Sequence, residues 1–181
     1  MFLLEYIKNP RKVGAVAPSS RFLANKMLSK VDFESAKCII EYGPGTGAFT
    51  EKLVARANEN TKVILIEINK EFYHKLNRLY GHKKNVLILN ESAENIDDIL
   101  KRYNIEKVDY IVSGLPFASL PKEVSDKILT KTAEIIENSG EFITFQYSLV
   151  KKSLFDRFFE EICTDKTYMN IPPAYVLRCR S

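Results

Sequence analysis

Cysteine and histidine are scarce in this 181-residue sequence and its apolar runs are short, and each shortage removes a class of protein. Cys38, Cys163 and Cys179 stand too far apart for a disulfide framework or a zinc knuckle. Cys38 opens an apolar run, where a thiol serves as a small core residue, and a reducing cytosol is the expected setting. No stretch approaches the ~20 residues that cross a bilayer. The start of the chain has neither a basic leader nor a small-residue cleavage site, so neither secretion nor a membrane span is expected. Glycine and proline, 7 of each, are too few for a fibrous or linker-rich chain, while 45% hydrophobic residues suit one globular core. Acidic and basic residues nearly balance. A net charge of +4 and a pI near 8.8 favour anionic partners mildly, without the density of a nucleic-acid arm. His74 and His82 fall on a predicted surface helix and at its exit and receive no role, and no metal site is expected.

What the sequence does contain is alternation. Cys38–Tyr42, Val63–Ile68, Val86–Leu89, Val108–Val112 and Glu141–Tyr147 are short β-branched or aromatic runs separated by stretches of helical periodicity. Ile96, Ile99, Leu100 and Tyr103 share a helix face, as do Leu154, Phe155, Phe158, Phe159 and Ile162, a stripe read as core packing. An earlier helix is predicted to start at Ser19 or Ser20 and to bury Leu23, Met27 and Val31. Lys166–Ile171 and Ala174–Cys179, parted by Pro172-Pro173, read as two further strands. Parallel strands joined by helical crossovers form a sheet covered on both faces, with ligands at the carboxyl ends where the winding reverses. Repeats and linkers are missing, so residues 1–181 are expected to form a single domain, with 1–31 as an N-terminal helical segment. Its opening puts Phe2, Leu3, Tyr6 and Ile7 on one face, followed by Lys8, Arg11 and Lys12. That turn or two either packs on its own domain or lies on a membrane surface.

Glu41-Tyr42-Gly43-Pro44-Gly45-Thr46-Gly47 forms the seam between strand one and an amphipathic helix carrying Phe49, Leu53 and Ala57. Alternate glycines let a backbone turn sharply and approach a ligand without Cβ collisions. Glu67 ends strand two, where a carboxylate can accept from both hydroxyls of an adenosine ribose. Glu41, two residues before the first glycine, would repel a pyrophosphate but suits the charged amino-acid end of a ligand. No Lys-Ser or Lys-Thr pair closes the turn as a phosphate loop requires.

This Glu-x-Gly-x-Gly-x-Gly pattern, the acid ending strand two and Ser113-Gly114-Leu115-Pro116-Phe117 after strand four resemble the class I S-adenosylmethionine methyltransferases. Within that class the chain looks most like bacterial phospholipid N-methyltransferases and, more distantly, ribosomal RNA adenine dimethyltransferases. The resemblance implies an α/β fold, a Rossmann-like, seven-stranded, mostly parallel sheet flanked by helices, with S-adenosyl-L-methionine as cofactor. By it, Gly43, Gly45, Thr46 and Gly47 line the methionine and ribose portion, Glu41 holds the amino group, Glu67 grips the ribose and Ile68 flanks adenine. Ser92 and Ala93 lie near the base, and Pro18 and Ser19, in a segment folded over the cofactor, lie close by.

For the acceptor, adenine-N6 enzymes of the class begin the loop after strand four with Asn or Asp, whose oxygen accepts from a planar amine; here that residue is Ser113. A hydroxyl is the weaker acceptor, whereas an sp³ amine needs only to lose a proton and approach in line. The ribosomal RNA enzymes also carry a helical domain after the sheet, for which this sequence has no counterpart. The expected reaction is methylation of the amine of phosphatidylethanolamine, with Ser113 and nearby carbonyls holding the amine, Leu115 and Pro116 shaping its channel, and Tyr147 taking the proton or facing the ammonium. Lys8, Arg11, Lys12, Arg21 and Lys26 would then meet anionic lipid at ~1 kcal/mol each. Alternatively, they would meet RNA phosphates or simply form a solvated charged surface. The expected location is cytoplasmic, with peripheral contact at the inner membrane face. Competing readings are RNA adenine methylation, methylation of a small molecule, and a non-catalytic cofactor-binding module.

Overall fold

A computed structural model describes residues 21–137, 139–167 and 173–181. Its elements are α1 (Arg21–Met27), β1 (Cys38–Tyr42), α2 (Ala48–Arg56), β2 (Lys62–Ile66), α3 (Lys70–Tyr80), β3 (Val86–Leu89), α4 (Ile96–Arg102), β4 (Tyr110–Ser113), α5 (Lys122–Ile136), β5 (Glu141–Gln146), β6 (Glu161–Thr167) and β7 (Ala174–Arg180). Short 3₁₀ turns cover Ala93–Asn95 and Leu149–Arg157. The seven strands form one sheet in the order β3-β2-β1-β4-β5-β7-β6. β1 to β5 pair in parallel, and β7 runs antiparallel to both β5 and β6. This is the mostly parallel α/β sheet expected from the alternation of strand and helix patterns.

Both faces of the sheet are covered, which is why its central strands are apolar throughout rather than alternating. Ile40 and Tyr42 point to one side, where Ile96 and Ile99 of α4 and Ile128 and Leu129 of α5 close over them. Ile39 points to the other, against Leu23 and Met27 of α1 and Phe49 and Leu53 of α2. The period of two therefore aims Glu41 at the α2 side. β1 lies between β2 and β4, with Tyr42 in register with Ile66 and Ser113, so the winding reverses beside it. Three strand ends and their following loops consequently meet at one rim.

The C-terminal region departs from the sequence reading. The apolar stripe does not form one helix: the 3₁₀ segment ends at Arg157, and Ile162 belongs to β6. Phe155 and Phe159 are nonetheless buried, stacked or edge-on against Phe117 and Phe142. Core burial thus satisfies the stripe, while the ladder from Glu161↔Arg180 to Thr167↔Ala174 takes the residues a longer helix would need. β6 accordingly starts five residues earlier than Lys166, and residues 168–172 lie outside those described. The strands predicted as 63–68 and 108–112 run 62–66 and 110–113. The predicted N-terminal face of residues 2–7 and the caps Ser19 and Ser20 also lie outside the described residues.

Candidate functional site

The turn after β1 is built on positive φ at Gly43 (63°), Gly45 (56°) and Gly47 (91°), a region that side chains disfavour. At Gly43 there is also no room, since an added Cβ would stand 2.7 Å from Leu115 Cδ2. The loop after β4 approaches as closely from its own side. A Cβ on Gly114 would lie 2.8 Å from the Gly43 carbonyl oxygen, and the Gly114 N–H donates to Tyr42 O at 2.9 Å. Gly114 couples the two loops, a role that emerges only when β1 and β4 are placed side by side.

Two acids face this turn. Glu41 is fully buried, and its Oε2 accepts from Thr50 Oγ1 at 2.7 Å, while Oε1 has no hydrogen-bond partner among the described residues. Burial raises its pKa from 4.5 to about 8; the Thr50 bond opposes that shift and the nearby Glu67 charge adds to it. A buried carboxylate with an open oxygen costs stability unless something donates to it, and an ammonium group of a ligand is the matching partner. Glu67, 2% exposed, accepts from Gly45 N through Oε2 and from Asn69 N through Oε1, each at 2.8 Å. Burial raises its pKa too, partly offset by those amide bonds. The acid thus pins the glycine turn, and its remaining lone pairs are free for hydroxyls.

The surrounding residues hold these loops in place. Asn90 donates from Nδ2 to the carbonyls of Glu67 (2.8 Å) and Ile68 (3.1 Å). Lys75 of α3 donates to Thr46 O at 2.9 Å. Ser92 accepts from Glu94 N and donates to Glu94 Oε2, capping its own 3₁₀ turn, and Ala93 packs into the core. Both still lie on the loop that follows β3, beside the loop of Glu67 and Ile68. Thr50, Lys75 and Asn90 receive no role from the sequence. Asn90 was open to discovery, because pairing Ile66 with Leu89 sets residue 90 beside Glu67.

On the acceptor side, Ser113 is buried, and its Oγ accepts from Leu115 N at 3.1 Å. The oxygen assigned by sequence to an acceptor amine therefore braces its own loop. Leu115 touches Gly43, and the Pro116 carbonyl accepts from Ser119 and Leu120. Tyr147 lies just beyond β5, its ring edge-on to Phe145. Pro18 and Ser19 lie outside the described residues. His74 and His82 are exposed, and among the described residues no group of His, Cys, Asp and Glu is placed to hold a metal. No helix of the described residues is long and apolar enough to cross a membrane.

The glycine turn, the open oxygen of Glu41 and the braced Glu67 fit S-adenosylmethionine: an ammonium at one acid, ribose hydroxyls at the other. Comparison with known proteins agrees. The pattern of the family described as ribosomal RNA adenine dimethylase matches residues 18–163. An ornithine lipid N-methyltransferase of Singulisphaera acidiphila is 29% identical over 99% of this chain and 94% of its own length. A ribosomal RNA small subunit methyltransferase A of Mycoplasma mycoides is 29% identical over 82% of this chain. The chain spans about half the length, 50%, of that relative. Among solved structures, the N-methyltransferase NodS of Bradyrhizobium japonicum shares the fold, with a TM-score of 0.70 over 87% of this chain and 93% of that one at 11% identity. The same enzyme has been solved with S-adenosyl-L-homocysteine (TM-score 0.65, 11% identity, 88% of this chain and 87% of that one).

Proposed function

The chain belongs to the ribosomal RNA adenine dimethylase family and is an S-adenosylmethionine-dependent methyltransferase, and from that premise we propose that it methylates the amine of a membrane-lipid headgroup. The observation that carries this reading is the end-to-end likeness to the ornithine lipid enzyme, set against a likeness to the RNA enzymes that covers half their length. The engagement of Ser113 Oγ by Leu115 N supports it, because a hydroxyl that already braces its own loop has one lone pair fewer for a planar nucleobase amine. Headgroup amines of this kind occur in phosphatidylethanolamine and in ornithine lipids.

When bound, S-adenosylmethionine supplies an electrophilic methyl group on sulfonium. Glu41 would orient its ammonium and Glu67 its ribose, with Ile68, Ser92 and Ala93 around the base. Leu115 and Pro116 border the path of the amine, Ser113 keeps that loop in shape, and Tyr147 offers a ring face to the developing ammonium. Alignment of the amine with the methyl accounts for most of the rate, several kcal/mol by the usual worth of positioning. The family match itself favours a second reading, RNA adenine methylation. Incubation with labelled S-adenosylmethionine and, separately, phosphatidylethanolamine vesicles, ornithine lipid micelles and a ribosomal RNA fragment tests both. Label is expected in extracted lipid. Label in RNA alone overturns the lipid assignment, and cofactor binding without transfer to any acceptor points to a non-catalytic module.

A further inference from the structure

A second concavity opens on the same rim, between the acceptor loop, the start of α5 and the 3₁₀ segment 149–157. Its volume is about 290 Å³, the scale of a headgroup rather than an acyl chain. Phe117, Leu120 and Leu154 supply apolar lining, and Lys122, Arg157 and Ser153 supply polar lining. The loop that ends here begins at the glycine turn: Leu115 presses on Gly43, and Phe117, two residues on, lines the cavity. A ligand seated in it is therefore held by the loop that borders the path of the amine.

The charges around it are organised. Lys122 and Arg157 converge on Asp126, Arg157 through two bonds of 3.1 and 3.3 Å. Two cations against one carboxylate leave a net +1. The side chains of Lys122 and Arg157 are 74% and 50% exposed and that of Asp126 23%, so positive charge faces the mouth. Lys152 and Asp156 on the same 3₁₀ segment pair with each other and cancel. Arg157 also lies over the Phe158 ring, 5.0 Å from its centroid, and keeps donors unused by Asp126. Phe117 and Leu120 are buried and Leu154 is half-buried, so apolar contact at the mouth comes chiefly from Leu154, which an anion attached to hydrocarbon can use and a free inorganic ion cannot.

We propose that this cavity binds the anionic group, phosphate ester or carboxylate, of a chain-bearing amphiphile. It rests on the lipid-amine reading for its place in catalysis, since such an anion seated here would anchor the headgroup whose amine reaches past Leu115 and Pro116. Its test is independent of methyl transfer. Calorimetry with monomeric dihexanoylphosphatidic acid, which has phosphate and chains but no amine, is compared with glycerol 3-phosphate and inorganic phosphate. The lipid is expected to bind at least about tenfold more tightly than either phosphate, the apolar lining accounting for the gain. R157Q and S153D, both at exposed positions and checked for folding by thermal melting, should weaken it about tenfold. D126N should tighten it, because both cations are released; a merely structural Asp126 would give the opposite sign. Equal binding of the lipid and glycerol 3-phosphate, weaker binding in D126N, unchanged binding in R157Q, or displacement by an RNA oligonucleotide but not by the lipid would each overturn the assignment. If binding holds while no lipid amine is methylated, the lipid-amine reading fails and this one stands.

Discussion

The two sides of the rim are built differently. Around the glycine turn, buried carboxylates and backbone amides hold one another: Glu67 takes two N–H groups, Glu41 takes Thr50, and Asn90 ties two carbonyls. Across the β4 loop, exposed side chains gather around the single carboxylate of Asp126. Buried bonds of the first kind set a fixed geometry in low dielectric, as one invariant ligand requires. Exposed pairs of the second kind are worth ~0–1 kcal/mol and rearrange easily, which suits the proposed acceptor at a lipid surface.

The largest test of this contrast is Glu67→Ala, which unpins Gly45 and removes the proposed ribose acceptor together. Affinity for S-adenosylmethionine, by calorimetry, is expected to fall by about 100-fold or more. A loss below about threefold would show that the turn holds itself. Gly114→Ala comes next, because its Cβ would stand 2.8 Å from Gly43 O, and backbone there cannot yield cheaply. A cost of ~1–3 kcal/mol is expected in thermal or urea unfolding, with a larger fractional loss in kcat/KM than in cofactor affinity. Loss of cofactor binding alone would mean that the two loops are not coupled.

Glu41→Gln probes the buried charge. Because the folded carboxyl titrates near 8 rather than 4.5, its stabilising contribution to the ligand-free protein is fully present below about 4.5 and is lost as pH rises through about 8. The Tm of the ligand-free protein should therefore fall between pH 6 and 9 relative to E41Q. An incoming ammonium favours the ionised form, so binding at pH 7 should release close to one proton, seen as a buffer-dependent enthalpy, and none in E41Q. Affinity in E41Q should drop about tenfold at pH 8.5 and less at pH 6. The smallest effect is expected from Lys75→Met, which removes a partly exposed tie to Thr46 O; a twofold to threefold loss of cofactor affinity with unchanged Tm would place that lysine as a brace of the turn.

Much of this arrangement was legible before folding was considered. β1 and β3 fall on the predicted residues, because each is a short apolar run bounded by turn residues. The turn at 43–47 and the acids at 41 and 67 were readable because the chemistry that places them is local: glycine φ, strand ends and one crossover. The stripe at 154–162 misled because apolar periodicity reports burial, and a 3₁₀ segment followed by a strand buries Phe155 and Phe159 as well as a helix would. Thr50, Lys75 and Asn90 carry no motif; each acts through a partner at least nine residues away.

The sequence alone determined the alternation of strand and helix, the sharp turn and the identity of the acids beside it, since these depend on contacts within a few residues along the chain. Only the tertiary structure decided that Glu41 keeps an open oxygen among the described residues, that Gly114 and Gly43 meet, and that Lys122 and Arg157 share Asp126. The physical reason is that pairing and burial are set by what stands opposite in space. Strand order β3-β2-β1-β4-β5-β7-β6 brings together residues that the chain keeps apart.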